Sequence, residues 1–204
     1  LRIFTSQLRY RRPSTNYLFK SKYAGSGILS WLGCHQLDLL SFLTDDHIIE
    51  VMAMTGNLNP EPIEVEDSAM MLFKLSGGAM GTLSAGYLMA GPGKNPDECL
   101  VTLRGSKGYL EVQTASPFAP NSKSVGQIST WSEAPGWETG GLRRQTFDVP
   151  PSEVYGGVMS EKLFSDFLRS SKNGLPAPSP IESSVHMLEV VEAAKKSSMT
   201  KCSV

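Results

Sequence analysis

The chain has 204 residues, 19 Lys+Arg against 20 Asp+Glu, a formal net charge of -1, 40% hydrophobic residues and 19% charged ones. That composition fits one ordinary globular domain with enough apolar side chains to bury a core; it excludes disorder and gives no electrostatic ground for nucleic acid as a partner. No stretch approaches the roughly eighteen consecutive apolar residues of a transmembrane helix, and Leu1-Arg2-Ile3-Phe4-Thr5 does not lead into an apolar signal segment.

Leu1 to Tyr10 partly alternates and reads as a strand, followed by a basic connector, 11–16, that cannot continue regular structure past Pro13. From Gly27 to about Leu43 the period becomes helical. Leu29, Leu32, Gln36, Leu40 and Leu43 form an aliphatic face, and Trp31, His35, Asp38 and Phe42 recur at the same steps on a neighbouring face. Gly25 and Gly27 sit where the backbone turns into the helix.

The period then falls to two. Strands are expected at Ile48–Thr55 and Glu64–Leu75, a Ser76-Gly77-Gly78 turn, and a return strand at Ala79–Leu88. Leu100–Arg104 and Tyr109–Gln113 make a second hairpin, and Gly126–Ser132 with Gln145–Val149 add two strands beside a loop-rich excursion across Thr114–Gly141. Two helices close the chain. Val158–Ser171 carries Leu163, Phe164, Phe167 and Leu168 on one stripe and ends at Asn173-Gly174. Ser179-Pro180-Ile181-Glu182 reads as a capping box opening a helix to about Ser197 that buries Val185, Leu188, Val191 and Ala194. The fold class is α+β: an open, mostly antiparallel sheet with helices on one face. Because Ala69-Met70-Met71-Leu72-Phe73 is apolar on both sides, the other face needs a cover. A second subunit is the simplest one, and the 114–141 loop is the alternative.

Three cysteines, Cys34, Cys99 and Cys202, are too few and too scattered for a disulfide framework or a structural zinc site, so a cytoplasmic setting is expected. Cys34 and His35 diverge by about 100° on a helix, which argues against one shared metal sphere. Gly25-Ser26-Gly27 follows no hydrophobic strand and lacks a third glycine, so it is expected to serve the helix start rather than a dinucleotide. Arg9, Arg11 and Arg12, and the pair Arg143-Arg144, read as solvated. His35 is the most informative ionisable residue. With a carboxylate at Asp38 it can act as a general acid/base near neutral pH; the bland alternative is a buried histidine satisfied by Asp38 or a backbone carbonyl.

The segment Trp31-Leu32-Gly33-Cys34-His35-Gln36-Leu37-Asp38, behind its glycine-rich start, resembles the D-x-G-x-H-x-x-D helix of the Gfo/Idh/MocA family of NAD(P)-dependent oxidoreductases. The likeness continues through Val65-Glu66-Asp67-Ser68-Ala69, Gly77-Gly78-Ala79-Met80-Gly81-Thr82-Leu83, Leu103-Arg104-Gly105-Ser106-Lys107-Gly108-Tyr109-Leu110 and Glu189-Val190-Val191-Glu192-Ala193-Ala194. The resemblance implies that residues 1–204 form the family's C-terminal substrate and oligomerisation domain. His35 then takes the proton of a sugar, cyclitol or related polyol hydroxyl as hydride passes to NAD or NADP, and Trp31 and Asp38 shape the substrate pocket. It also implies a homo-oligomer through the open sheet face. The family's N-terminal Rossmann domain is not among these residues, so the chain, which begins at Leu1 rather than Met, is expected to be part of a longer protein and inactive by itself. Trp31 stands where the family carries an aspartate. That departure keeps two alternatives open: a non-enzymatic sugar- or protein-binding module, and an NAD-dependent glycosidase on the same scaffold.

Overall fold

The computed structural model describes residues 1–10, 17–60, 62–89, 97–114, 124–137, 141–149 and 157–204; the expected connector 11–16 and the parts 115–123 and 138–140 of the expected loop lie outside these. Eight strands form one sheet: β1 (Arg2–Tyr10), β2 (Ile48–Gly56), β3 (Ser68–Leu75), β4 (Met80–Met89), β5 (Asp97–Gly105), β6 (Gly108–Gln113), β7 (Ser124–Ser132) and β8 (Arg143–Val149). Their order is β2-β3-β4-β1-β5-β6-β7-β8. Two antiparallel meanders, β2 to β4 and β5 to β8, are joined by β1, which lies parallel to β4 and antiparallel to β5. The first strand of the chain is thus a central one.

Among the described residues three α-helices stand at the expected places and α1 is an addition: α1 (Ser21–Ala24), α2 (Cys34–Thr44), α3 (Gly157–Lys172) and α4 (Ile181–Thr200). A π-helical turn over Leu29–Gly33 leads directly into α2. One face of the sheet is covered by α2 and α4. The core between them holds Val51, Ala69, Met71, Phe73, Leu83 and Val101 from the sheet, Leu29, Leu37 and Leu40 from the π turn and α2, and Val191 and Ala194 from α4. Burying a Leu or Val side chain of this kind contributes about 1.5–3 kcal/mol relative to leaving it exposed.

Three expectations are corrected. Regular pairing of β3 begins at Ser68 rather than Glu64, because Asp67 turns its buried carboxylate onto the backbone N–H groups of Leu58 (2.8 Å) and Asn59 (3.0 Å) and thereby folds the β2–β3 connection. The capping box does not form. Pro180 is the N-cap of α4, without a side-chain cap, and the Ser183 hydroxyl donates to the Pro180 carbonyl at 2.8 Å. Val185 and Leu188 are exposed, while Met187, Val190, Val191, Ala194 and Ser197 are buried. The inward stripe of α4 is rotated because its C-terminal half must meet β2 as well as α2.

The start of the π turn is tied to the β2–β3 connection by Gly27. Its backbone lies so close to Glu66 that an added Cβ would fall 1.9 Å from the Glu66 carbonyl oxygen, which itself accepts the Ile28 N–H at 2.9 Å. No side chain fits there. Gly27→Ala is therefore expected to cost roughly 1–3 kcal/mol or more, read as a lower urea midpoint. Gly56→Ala, where nothing lies within 4 Å of the added carbon, leaves the midpoint within about 0.5 kcal/mol.

Candidate functional site

The two faces expected for the helix after Gly27 are both present. Leu29, Leu32, Gln36 and Leu40 point into the core, whereas Trp31 is half-buried and His35, Asp38 and Phe42 are exposed. The bland alternative of a core histidine is therefore corrected: His35 stands on the solvent side of α2. The residue that is buried is its neighbour. Gln36 accepts the Thr5 hydroxyl on β1 and donates through Nε2 to the Cys99 sulfur on β5 at 3.0 Å. That buried amide holds the rotation of α2 over the sheet, so His35 is presented outward.

His35 and Asp38 form a ridge between two hollows in the groove of α2 and α4. The smaller, about 290 Å³, is lined by Ser30, Cys34, Ser184, Met187, Leu188 and Val191 in addition to the ridge. The larger, about 520 Å³, extends toward the end of α2 and is lined by Ser41, Phe42, Asp45, Asp46, His47 and Ser183 among others, with Pro178, Ser179 and Pro180 from the α3–α4 connection. The lining mixes the apolar Leu39, Phe42 and Leu188 with Ser, Asp and His side chains able to donate or accept hydrogen bonds.

Trp31 is not brought to this ridge. It lines neither hollow, and its ring meets Tyr17 edge-on with centroids 6.4 Å apart. Sequence reasoning joined Trp31 to His35 by helical spacing, but the π turn that contains Trp31 changes the spacing locally. It missed His47, Ser183 and Ser184, which come from separate elements and carry no shared motif.

One glycine ends a helix and the other precedes one. Gly25, at a φ of 68°, is the C-cap of α1, and Gly27 is pressed on Glu66. Burial pushes the Cys34 thiol up from its ordinary value, and the thiol sits 3.0 Å from the Ser30 carbonyl, so it stays protonated and is a poor nucleophile. Among the described residues no group of three His, Cys, Asp or Glu side chains could hold a metal ion, and no helix is long and apolar enough to cross a membrane.

The described residues thus form an open eight-stranded sheet with a helix over its covered face that carries an exposed histidine. Residues 1–111 match the model of the GFO/IDH/MocA C-terminal domain, and the chain belongs to that family. A search of curated proteins found no match. Solved structures share the fold. A levoglucosan dehydrogenase in complex with NADH and levoglucosan superposes with a TM-score of 0.79 at 18% identity, over 100% of this chain and 58% of that one. An oxidoreductase domain protein from Kribbella flavida gives 0.76 at 22%, over 99% and 58%. An aldose-aldose oxidoreductase from Caulobacter crescentus, complexed with glycerol, gives 0.75 at 16%, over 100% and 54%. The chain thus spans between 54% and 58% of the length of these structures.

The larger hollow rests on a fastened corner. Asp46 accepts the Ser76 hydroxyl, the Gly77 N–H at 2.9 Å and the His47 N–H at 2.7 Å, tying the end of α2 to the β3–β4 turn. Those donors, the Ser76 hydroxyl foremost, hold its carboxyl below the ordinary 3.8. A depressed folded-state value stabilises the protein above the unfolded value and loses that contribution as pH falls through the folded one. Asp46→Asn is expected to be less stable than the parent at pH 7, with the difference shrinking as pH falls below 3.8. Paired thermal melts across that range check it.

Proposed function

We propose that the chain is the substrate-binding and oligomerisation part of an NAD(P)-dependent oxidoreductase that oxidises a sugar, cyclitol or related polyol. The observation that carries this reading is the exposed His35–Asp38 ridge shared by two hollows of mixed polar and apolar lining. The nicotinamide would supply hydride transfer, and the exposed His35 and Asp38 fit the proton side of that chemistry. NAD and NADP fit equally.

In this reading a hydroxyl of the substrate hydrogen-bonds the His35 imidazole. The ring takes the proton as the C–H bond breaks and returns it in the reverse reaction. Asp38, three residues on, favours the imidazolium that forms and accepts hydrogen bonds from neighbouring hydroxyls. Ser183, Ser184 and Ser41 supply further polar contacts at the rims. Trp31, turned toward Tyr17, is not a partner for His35 in this reading. In the protein that includes the nucleotide-binding part, His35→Ala is expected to lower turnover by roughly 10²- to 10⁴-fold while nicotinamide affinity stays within a few-fold. Unchanged turnover would remove His35 from the chemistry. Saturable sugar binding without nucleotide, with no turnover in any protein containing the chain, would favour the binding-module reading that the displaced Trp31 supports.

The face of the sheet away from α2 and α4, exposed among the described residues over β2, β3 and β4, completes the reading. Met52, Leu72, Thr82, Phe4 and Thr102 lie in one cross-strand row, and Met54, Met70, Ser84, Ser6 and Leu100 in the next. Met52, Met54, Met70, Leu72, Met80 and Phe4 are all exposed. A contiguous apolar patch of this kind marks an interface, and a second copy of the face is its simplest cover. Met70→Glu with Leu72→Lys is expected to reduce the mass measured by light scattering to that of a smaller species. An unaltered mass would leave cover by the 114–141 loop as the account.

A further inference from the structure

The two edges of the sheet are treated differently. On β2 the outward backbone is occupied: Val51 exchanges hydrogen bonds with Val204 (2.8 and 2.9 Å), and the N–H groups of Ala53 and Thr55 donate to the hydroxyls of Ser197 and Ser198, each at 3.0 Å. The end of α4 and the chain terminus therefore close this edge to any added strand. At the other end, among the described residues, β8 pairs on one side only, with β7. Arg143, Arg144, Gln145, Thr146 and Asp148 are exposed along it. The strand itself is firmly backed, since the Phe147 ring lies against Gly126, where an added Cβ would fall 2.3 Å from the ring.

Charged side chains on an edge ordinarily keep other strands away. On β8 the charges are of opposite sign and placed symmetrically: Arg144 and Asp148 stand two residues on either side of Thr146. Neither has an ion-pair partner among the described residues. Arg143 is already used within its own hairpin, its guanidinium 3.6 Å above the Trp137 ring and 2.6 Å from the Gly136 carbonyl. Alternation puts Arg144, Thr146 and Asp148 on one side of the strand.

We propose that β8 is a self-association edge, to which a second copy of this chain adds its own β8 antiparallel about a two-fold axis at Thr146, making one continuous sheet across two subunits. In that register each Arg144 lies directly opposite Asp148 of the partner subunit, and Gln145 lies opposite Phe147. Moving the axis to residue 144 would set arginine against arginine, and moving it to 148 would set aspartate against aspartate. The same two charges therefore favour one register, one partner and one orientation, and repel strands that lack the pattern. The edge is separate from the open apolar face, so this association stands or falls independently of the one proposed above.

Sedimentation equilibrium on the full chain, at low and moderate salt, tests it. Arg144→Asp and Asp148→Arg each set like charges opposite one another twice in the symmetric pair, and each is expected to weaken association about tenfold or more. The double variant Arg144→Asp/Asp148→Arg rebuilds both pairs with their signs exchanged and is expected to return to within roughly threefold of the parent. Far-ultraviolet circular dichroism identical to the parent shows that these surface changes leave the fold intact. A parent chain that stays monomeric throughout, single variants with unchanged association, or a double variant as weak as the singles would each overturn the proposal. The Met70→Glu/Leu72→Lys variant keeps its edge, so loss of the face interaction alone leaves the edge-paired dimer behind.

Discussion

The contact between Gly27 and the Glu66 carbonyl constrains most of what surrounds it. One oxygen is both the acceptor for Ile28 N–H and the wall that excludes any side chain at position 27, so the helix can start in one place and at one depth. That wall is itself rigid. Asp67 gathers the Leu58 and Asn59 backbone, the Asn59 amide reaches the Tyr87 carbonyl at 2.9 Å, and the Asp67 and Gly56 backbones are joined at 3.2 Å. A buried carboxylate with several donors is costly to disturb, because removing its partners leaves a charge without solvation.

With its start held, α2 has little rotational freedom left, and Gln36 removes the rest by reaching Thr5 and Cys99 across two central strands. The consequence appears one residue earlier. His35 is carried about 100° round the helix from Gln36, over the groove shared with α4, where it and Asp38 divide two hollows. A buried polar side chain thus sets the direction of an exposed one. In the proposed reaction, preorganisation of this sort would let the His35 imidazole meet a substrate without first paying to order itself.

The sheet is asymmetric in a way that separates tasks. Its covered face carries the core and the histidine-bearing helix, its open face carries methionine, leucine and phenylalanine, and its two edges differ in how their backbone groups are satisfied. Self-association on the open face or at β8 therefore leaves the His35 groove accessible. The exposed stripe of α3, with Leu163, Phe164, Phe167 and Leu168, is a further apolar surface of the described residues.

Local patterning was enough to place the helices, the hairpins and the division of the helix after Gly27 into an inward and an outward face, because periods of 3.6 and 2 follow directly from backbone geometry. The resemblance around Gly33, His35 and Asp38 pointed to the family that the match over residues 1–111 shows. Periodicity, however, tells which side chains share a face and not which face finds a partner. Hence Val185 and Leu188 of α4 turned out exposed while Met187 and Val190 are buried, and Trp31 was joined to His35 by a spacing that the π turn does not keep. The central, parallel place of β1, the detour of Asp67 out of β3 and the meeting of His47 and Ser183 with His35 each depend on contacts between distant segments. Such contacts form only when the sheet closes over its helices, since hydrogen bonds and burial across long separations leave no periodic trace in the chain.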